Sequence, residues 1–172
     1  MKIRLATNED LNGILEIVQD AINLLKQNNV NQWQNGYPNR DVFIKDIENQ
    51  TLYVLCDNSI IVGFCNISPL PDPSYKVIYE GSWLTDVEEY VVIHRLAVRK
   101  ENYHCNCART LIEFAYKIAK ENHKISIRVD THHDNIPMNR LLQKMGFIKC
   151  GIIHLIGYSD AEKARVAYEK II

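Results

Sequence analysis

The sequence predicts a single α/β domain over residues 1–172, with a mixed central sheet flanked by helices. Two observations carry that prediction. Short apolar runs of strand length alternate along the chain with segments whose apolar residues recur at helical spacing. The stretch from Val91 to Gly151 then reads strand, loop, helix, strand, helix, strand without a break. A strand that feeds a helix N-terminus leaves unpaired backbone N–H groups aimed at one spot, where a phosphate can bind.

The elements follow in order. Met1–Leu5 alternates like a first strand. Thr7 followed by Asp10 has the form of a helix cap with its acid, and Leu11, Ile14, Leu15, Val18, Ile22 and Leu25 continue as a helix to about Gln27. Gln32-Trp33-Gln34-Asn35-Gly36-Tyr37-Pro38 is turn-rich, and Asn39 can cap a second helix through Val42, Ile44 and Ile47. Thr51–Cys56 and Ile60–Ile67 form a hairpin around Asp57-Asn58-Ser59. Leu70–Glu89 is a long connection, and long ordered connections in compact domains usually carry function. Val91–Val98, a helix through Ala108–Phe114, Ile125–Asp130 and a helix opened by Asn135 come next. Cys150–Leu155 and Arg165–Ile171 close the chain as two strands.

Composition narrows the class. A chain of 172 residues is one domain by size and can bury an adequate core. Its net charge of -1 and pI near 6.6 give no global attraction to nucleic acid or anionic membranes. No apolar run is long enough for a membrane-spanning helix, and Met1–Leu5 lacks the continuous apolar stretch of a signal peptide, so a cytoplasmic protein is expected. Five cysteines, an odd number, argue against a disulfide framework. Cys105 and Cys107 beside His104 lack a second paired ligand set at zinc spacing, His132-His133 being a weak partner, so no metal site is expected.

Three segments carry a family resemblance: Ile93-His94-Arg95-Leu96-Ala97-Val98, the loop-to-helix register ending Ala108-x-x-Leu111, and Asn135-x-x-Met138-x-x-Leu141-x-x-Lys144-x-Gly146-Phe147. Together they resemble the GNAT family of N-acetyltransferases, and the elements on either side fall in that family's order. The resemblance implies a fourth and fifth strand splayed apart to hold CoA, with acetyl-CoA as acetyl donor. It implies that the backbone of Leu96, Ala97 and Val98 pairs with the pantetheine arm. It places the pyrophosphate on Tyr103-His104-Cys105-Asn106-Cys107-Ala108, helped by Arg109. The family pattern there has a leading Gln or Arg and a central glycine; here those positions are Tyr103 and Asn106. Asn is the non-glycine residue that best adopts positive φ, which keeps the turn available. Asn135 can both cap its helix and bond the pantetheine, and Asn139, one turn on, shares its face.

Acetyl transfer to an amine needs a base for the ammonium form of the acceptor and an acid for the leaving thiolate. The family's tyrosine acid is replaced by Leu142, and its strand glutamate by Val92. His94 lies on Val92's face and an imidazole accepts a proton near neutrality. Glu80 in the long connection and Asp130 at a strand end are rivals, and Glu80 is equally an anchor for an amine. Trp33, Tyr37, Tyr79 and Trp83 border the acceptor pocket by the family's architecture, where aromatic rings hold amines or apolar groups. The expected activity is N-acetylation of a small-molecule or peptide amine. The alternative is a catalytically weakened member that binds acyl-CoA or a partner without efficient turnover, suggested by Tyr103, Asn106 and Leu142 together. A homodimer is compatible with the family, although the chain fixes no interface.

Overall fold

The computed structural model describes residues 1–159 and 162–172. Seven strands form one sheet: β1 (Lys2–Leu5), β2 (Leu52–Asp57), β3 (Ile60–Ser68), β4 (Tyr90–Val98), β5 (Ser126–Thr131), β6 (Ile148–His154) and β7 (Ala164–Ile171). Their order is β1-β2-β3-β4-β5-β7-β6. Among the described residues only β4 and β5 pair in parallel; the other neighbours are antiparallel, so the sheet is mixed.

Among the described residues, four α-helices cover its faces: α1 (Leu11–Gln27), α2 (Arg40–Glu48), α3 (Cys107–Glu121) and α4 (Ile136–Lys144). Helices α1 and α2 pack Leu11, Ile14, Ile17 and Phe43 against Leu52, Val54, Phe64 and Ala97 on one face. On the other, Leu111, Ile112, Ala115 and Leu142 meet Val62, Val91, Ile93, Ile127 and Val129. The start of α1 follows the capping logic of its sequence: the Asp10 carboxylate accepts from the Thr7 amide at 2.8 Å and pairs with both outer nitrogens of Arg4. No helix among the described residues is long and apolar enough to cross a membrane.

Two irregularities in β4 shape the site. First, its parallel pairing with β5 runs from Tyr90↔Ser126 to Ile93↔Val129 and stops, while its pairing with β3 continues to Val98↔Gly63. Beyond Ile93, one edge of β4 is therefore unpaired inside the sheet. Second, Phe64 pairs with Ala97 and Asn66 with His94, so between these pairs β3 uses one residue and β4 two. The extra residue is a bulge, with Arg95 at a φ of 48°. It inverts the side-chain alternation: Ile93 lies on the α3 face, yet so does Leu96, while Arg95 and Ala97 join the α1–α2 side.

The long connection from residue 69 to 89 is held at two places. Tyr79 makes a two-way backbone bridge to Ile152 of β6, each bond 2.8 Å. Glycines permit that approach: a Cβ on Gly151 would sit 2.5 Å from the Tyr79 carbonyl oxygen, and one on Gly81 would overlap the carbonyl of Cys150. Further along, the buried Glu169 carboxylate accepts from the Leu84 amide, Thr85, Ser126 and Arg128. The Arg128 guanidinium is sandwiched between the rings of Trp83 and Tyr90, 4.2 and 4.0 Å from their centroids.

Candidate active site

The gap between β4 and β5 opens into a cavity of about 1250 Å³. Residues 93–98 of β4, Val129–Thr131 of β5 and the N-terminal turns of α3 and α4 line it. The backbone of Leu96, Ala97 and Val98 thus borders a space wide enough for an extended chain to pair with it.

Downstream, Tyr103, His104, Asn106, Cys107, Ala108 and Arg109 also line the cavity. Asn106 caps α3 with φ 56° and ψ 16°, the left-handed conformation the family fills with glycine. The first helical bond joins the Thr110 amide to the Asn106 carbonyl, so the amides of Cys107, Ala108 and Arg109 precede the helical ladder. With the helix dipole they make an anion seat. The Cys107 side chain is buried toward Met1, which keeps its bulk out of that seat. Cys105 is exposed and does not line the cavity; nor do Cys105 and Cys107 converge as ligands. Among the described residues, His132, His133 and Asp134 lie together, but the Nδ1 of His132 already accepts from the Asp134 amide at 3.2 Å.

Asn135 caps α4, accepts from the Met138 amide, donates to Gln32 and lines the cavity. Asn139 does not line it. Its amide nitrogen donates to the carbonyls of His132, His133 and Asn135, and its oxygen accepts from the Tyr168 hydroxyl. With both ends of its amide engaged, Asn139 ties α4 to the sheet and sits outside the cavity lining. Leu142 is fully buried in the core and offers no proton.

His94 reaches the cavity as a half-buried side chain, with Nε2 3.1 Å from the Asp72 carboxylate. Asp72 is held by the long connection, where it accepts from the Ser74 amide at 2.7 Å. Burial works to raise its carboxyl, but the hydrogen bond and charge of His94 and the Ser74 amide outweigh it and hold it below the ordinary value. Asp72 therefore stays ionised at neutral pH and sets a negative charge beside Nε2 of the imidazole. Next to it, Arg95 donates to both oxygens of Asp46 at 2.8 Å and to the Tyr37 hydroxyl at 2.6 Å. Asp130 also lines the cavity; one of its oxygens accepts from the Tyr75 hydroxyl at 2.6 Å.

Trp33 and Tyr37 line the cavity from the α1–α2 connection. This connection roofs the site. Gln32 meets Asn135, Asn35 donates to Glu162, and the Tyr37 ring meets Tyr158 edge-on at 6.2 Å. Tyr79, Glu80 and Trp83 are not in the cavity. The bridge carries Tyr79 and Glu80 out to the β6 edge of the sheet, where the Tyr79 ring stacks on His154 and Glu80 is exposed. Trp83 lies over Arg128 and donates its indole N–H to the Tyr75 carbonyl. The sequence reading missed Asp72, Tyr158, Arg140 and Arg165, all of which line the cavity. Only Asp72 had a local signal, a capping acid set between Pro71 and Pro73. The buried Thr131 hydroxyl, which has no partner among the described residues, also lies in this wall.

The family model of the acetyltransferase (GNAT) family matches residues 18–147, spanning β4, the α3 turn and α4. The chain belongs to the GNAT family. A GNAT acetyltransferase from Streptococcus agalactiae is 29% identical with a TM-score of 0.88, covering 99% of this chain and 95% of its own. An acetyltransferase structure from Staphylococcus aureus is also 29% identical, with a TM-score of 0.73 and 99% of both chains covered. The fold is shared with yncA of Salmonella typhimurium, whose structure holds acetyl-CoA, at 16% identity and a TM-score of 0.69 over 99% of this chain and 93% of that one. A comparison with curated proteins found no match.

Proposed function

We propose that this GNAT protein is an acetyl-CoA-dependent N-acetyltransferase acting on a primary amine of a small molecule or peptide. One observation carries the proposal: the unpaired edge of β4, the anion seat at α3 and the His94–Asp72 pair all face one cavity. The residues fit the donor. Leu96–Val98 offers an extended backbone for the pantetheine arm, and the turn from His104 to Arg109 offers amides and a cation for the pyrophosphate. When bound, acetyl-CoA supplies an acyl carbonyl activated by its thioester.

The chain's own part is to hold the acceptor amine against that carbonyl and to take its proton. Nδ1 of His94 accepts the proton from the attacking nitrogen, and Asp72 stabilises the imidazolium through Nε2. Positioning supplies the rest of the acceleration. Glu80 has no place in this scheme, because it lies outside the cavity.

A second reading, a weakened member that binds acyl-CoA without efficient turnover, is favoured by Leu142, which leaves no acid at the family's position. Calorimetry with acetyl-CoA, desulfo-CoA and adenosine diphosphate, followed by an acceptor screen for CoA release, separates the two. Binding that needs the pantetheine arm, together with turnover, supports the transferase. Binding with no turnover favours the second reading, and no binding removes both.

A further inference from the structure

The wall of the cavity contains a buried cation with no direct ion pair among the described residues. Arg165, the second residue of β7, is 4% exposed and lines the cavity. One of its outer nitrogens donates to the backbone carbonyls of Glu162 and Ala164. Among the described residues it has no ion-pair partner, and its guanidinium carbon stands 6.0 Å from the Tyr158 ring centroid.

The chain treats buried Arg128 and half-buried Arg95 differently. Arg128 is paired with Glu169, and Arg95 with both oxygens of Asp46. Asp130 and Glu162 act on the Arg165 charge only at longer range, so a guanidinium buried here without a direct ion pair keeps N–H groups that an anion in the cavity can complete. Nearby Asp130 has one oxygen engaged by Tyr75 and the other without a hydrogen bond among the described residues. Asp130 and Asp72 thus give the same wall anionic groups suited to an ammonium, while Arg165 suits an acid.

We infer that Arg165 binds a carboxylate of the acceptor, which makes the acceptor class an amino acid or closely related amino-carboxylate. This deepens the transferase reading and rests on it. A fork of guanidinium N–H groups matches a carboxylate in two parallel bonds, whereas polyamines and aminoglycosides bring only further positive charge. Leu155, Ile156 and Trp33 supply apolar surface for a side chain.

The test uses the full chain with saturating acetyl-CoA and follows CoA release. The acceptors are the twenty amino acids, the carboxamide of each, aminoethylphosphonate and spermidine. At least one amino acid should exceed its own amide by about tenfold or more in kcat/KM, the low end for losing a charge-assisted contact. Arg165→Gln should erase that difference mainly through KM, with acetyl-CoA affinity unchanged, and Arg165→Lys should recover part of it. Preference for aminoethylphosphonate over every amino acid would replace the carboxylate by a phosphonate and overturn the class. Equal use of amides, or use of spermidine alone, overturns the proposal, as does loss of acetyl-CoA affinity in both Arg165 variants. If no acceptor turns over, calorimetry of the amino acids on the CoA complex decides: no binding there, with normal acetyl-CoA binding, rejects the Arg165 assignment alone. Failure of acetyl-CoA itself to bind rejects the parent reading.

Discussion

His94 is the residue on which the proposed chemistry turns, and what it can do depends on a partner far off in sequence. His94→Ala should lower kcat by about 10²–10⁴-fold, the usual range for a general base, while acetyl-CoA affinity measured by calorimetry stays unchanged. Asp72→Asn should give a smaller loss, because the imidazole keeps its lone pair but loses the anion that stabilises its charged form. Equal turnover in His94→Ala and the parent would remove His94 from the mechanism. The sequence offered His94 through strand alternation alone; its partner sits in a connection whose path no periodicity reveals. Arg165 was hidden for a different reason. A cation opening an apolar strand looks like a solvated end, and only the tertiary fold buries it. A separate residue-scale prediction concerns Asp10. The Arg4 hydrogen bond, followed by the Thr7 amide, outweighs burial and holds the Asp10 carboxyl below its ordinary value. Its folded value lies below the unfolded one, so this contribution is full above the ordinary carboxylate range and disappears as pH falls through the folded value. Asp10→Asn should lower stability at neutral pH by about 1 kcal/mol, allowing for solvent around Arg4, and the difference should vanish in acid denaturant titrations.

Among the elements, the turn into α3 and the long connection before β4 have opposite sensitivities to glycine. Asn106 already holds the left-handed conformation, so Asn106→Gly should leave acetyl-CoA affinity equal or better. A clear loss by calorimetry would mean that the Asn side chain itself takes part. Gly81→Ala should be costly, about 1–3 kcal/mol in denaturant unfolding, since the new Cβ meets the backbone of Cys150, which cannot swing aside. Because Asp72 rides on the same connection, kcat should fall with it; unchanged stability would show that the connection leaves β6 freely. The first two helices, from their Thr7 and Asn39 starts, and the hairpin at Asp57–Ser59 were legible because each keeps its own period, whereas α3 runs on to Glu121 and β6 starts earlier, at Ile148. The bulge at Arg95 was not. It breaks the alternation inside an unbroken apolar run, so parity counting from Val92 reaches His94 correctly but would put Leu96 and Val98 on the same side.

For the molecule as a whole, the β4–β5 opening was legible from the family's element order, because Ile93–Val98 and Asn135–Phe147 are local patterns. The pairing of β5 with β7, which brings Arg165 beside Asp130, is long-range and has no such pattern. Nor could the sequence show that Tyr79 would be drawn to β6 by two backbone bonds and away from the cavity. The strand edge left open beyond Ile93 also bears on how the protein keeps from aggregating. A strand with vacant amides and carbonyls is a template for any extended segment, and proteins normally protect theirs at the sheet margin with charge or a covering loop. Here the vacancy lies mid-sheet and faces a cavity bordered by α3 and α4 rather than the sheet margin. The proposed donor then doubles as the missing strand. At 100 times its Kd it should add about 2.7 kcal/mol of stability, raising the melting temperature by roughly 5–10 °C. Amide exchange should slow most over Leu96–Val98, and a melting point indifferent to acetyl-CoA would contradict that role. Starved of CoA, the folded chain would be the more fragile form, its weakest seam running through the middle of its own sheet.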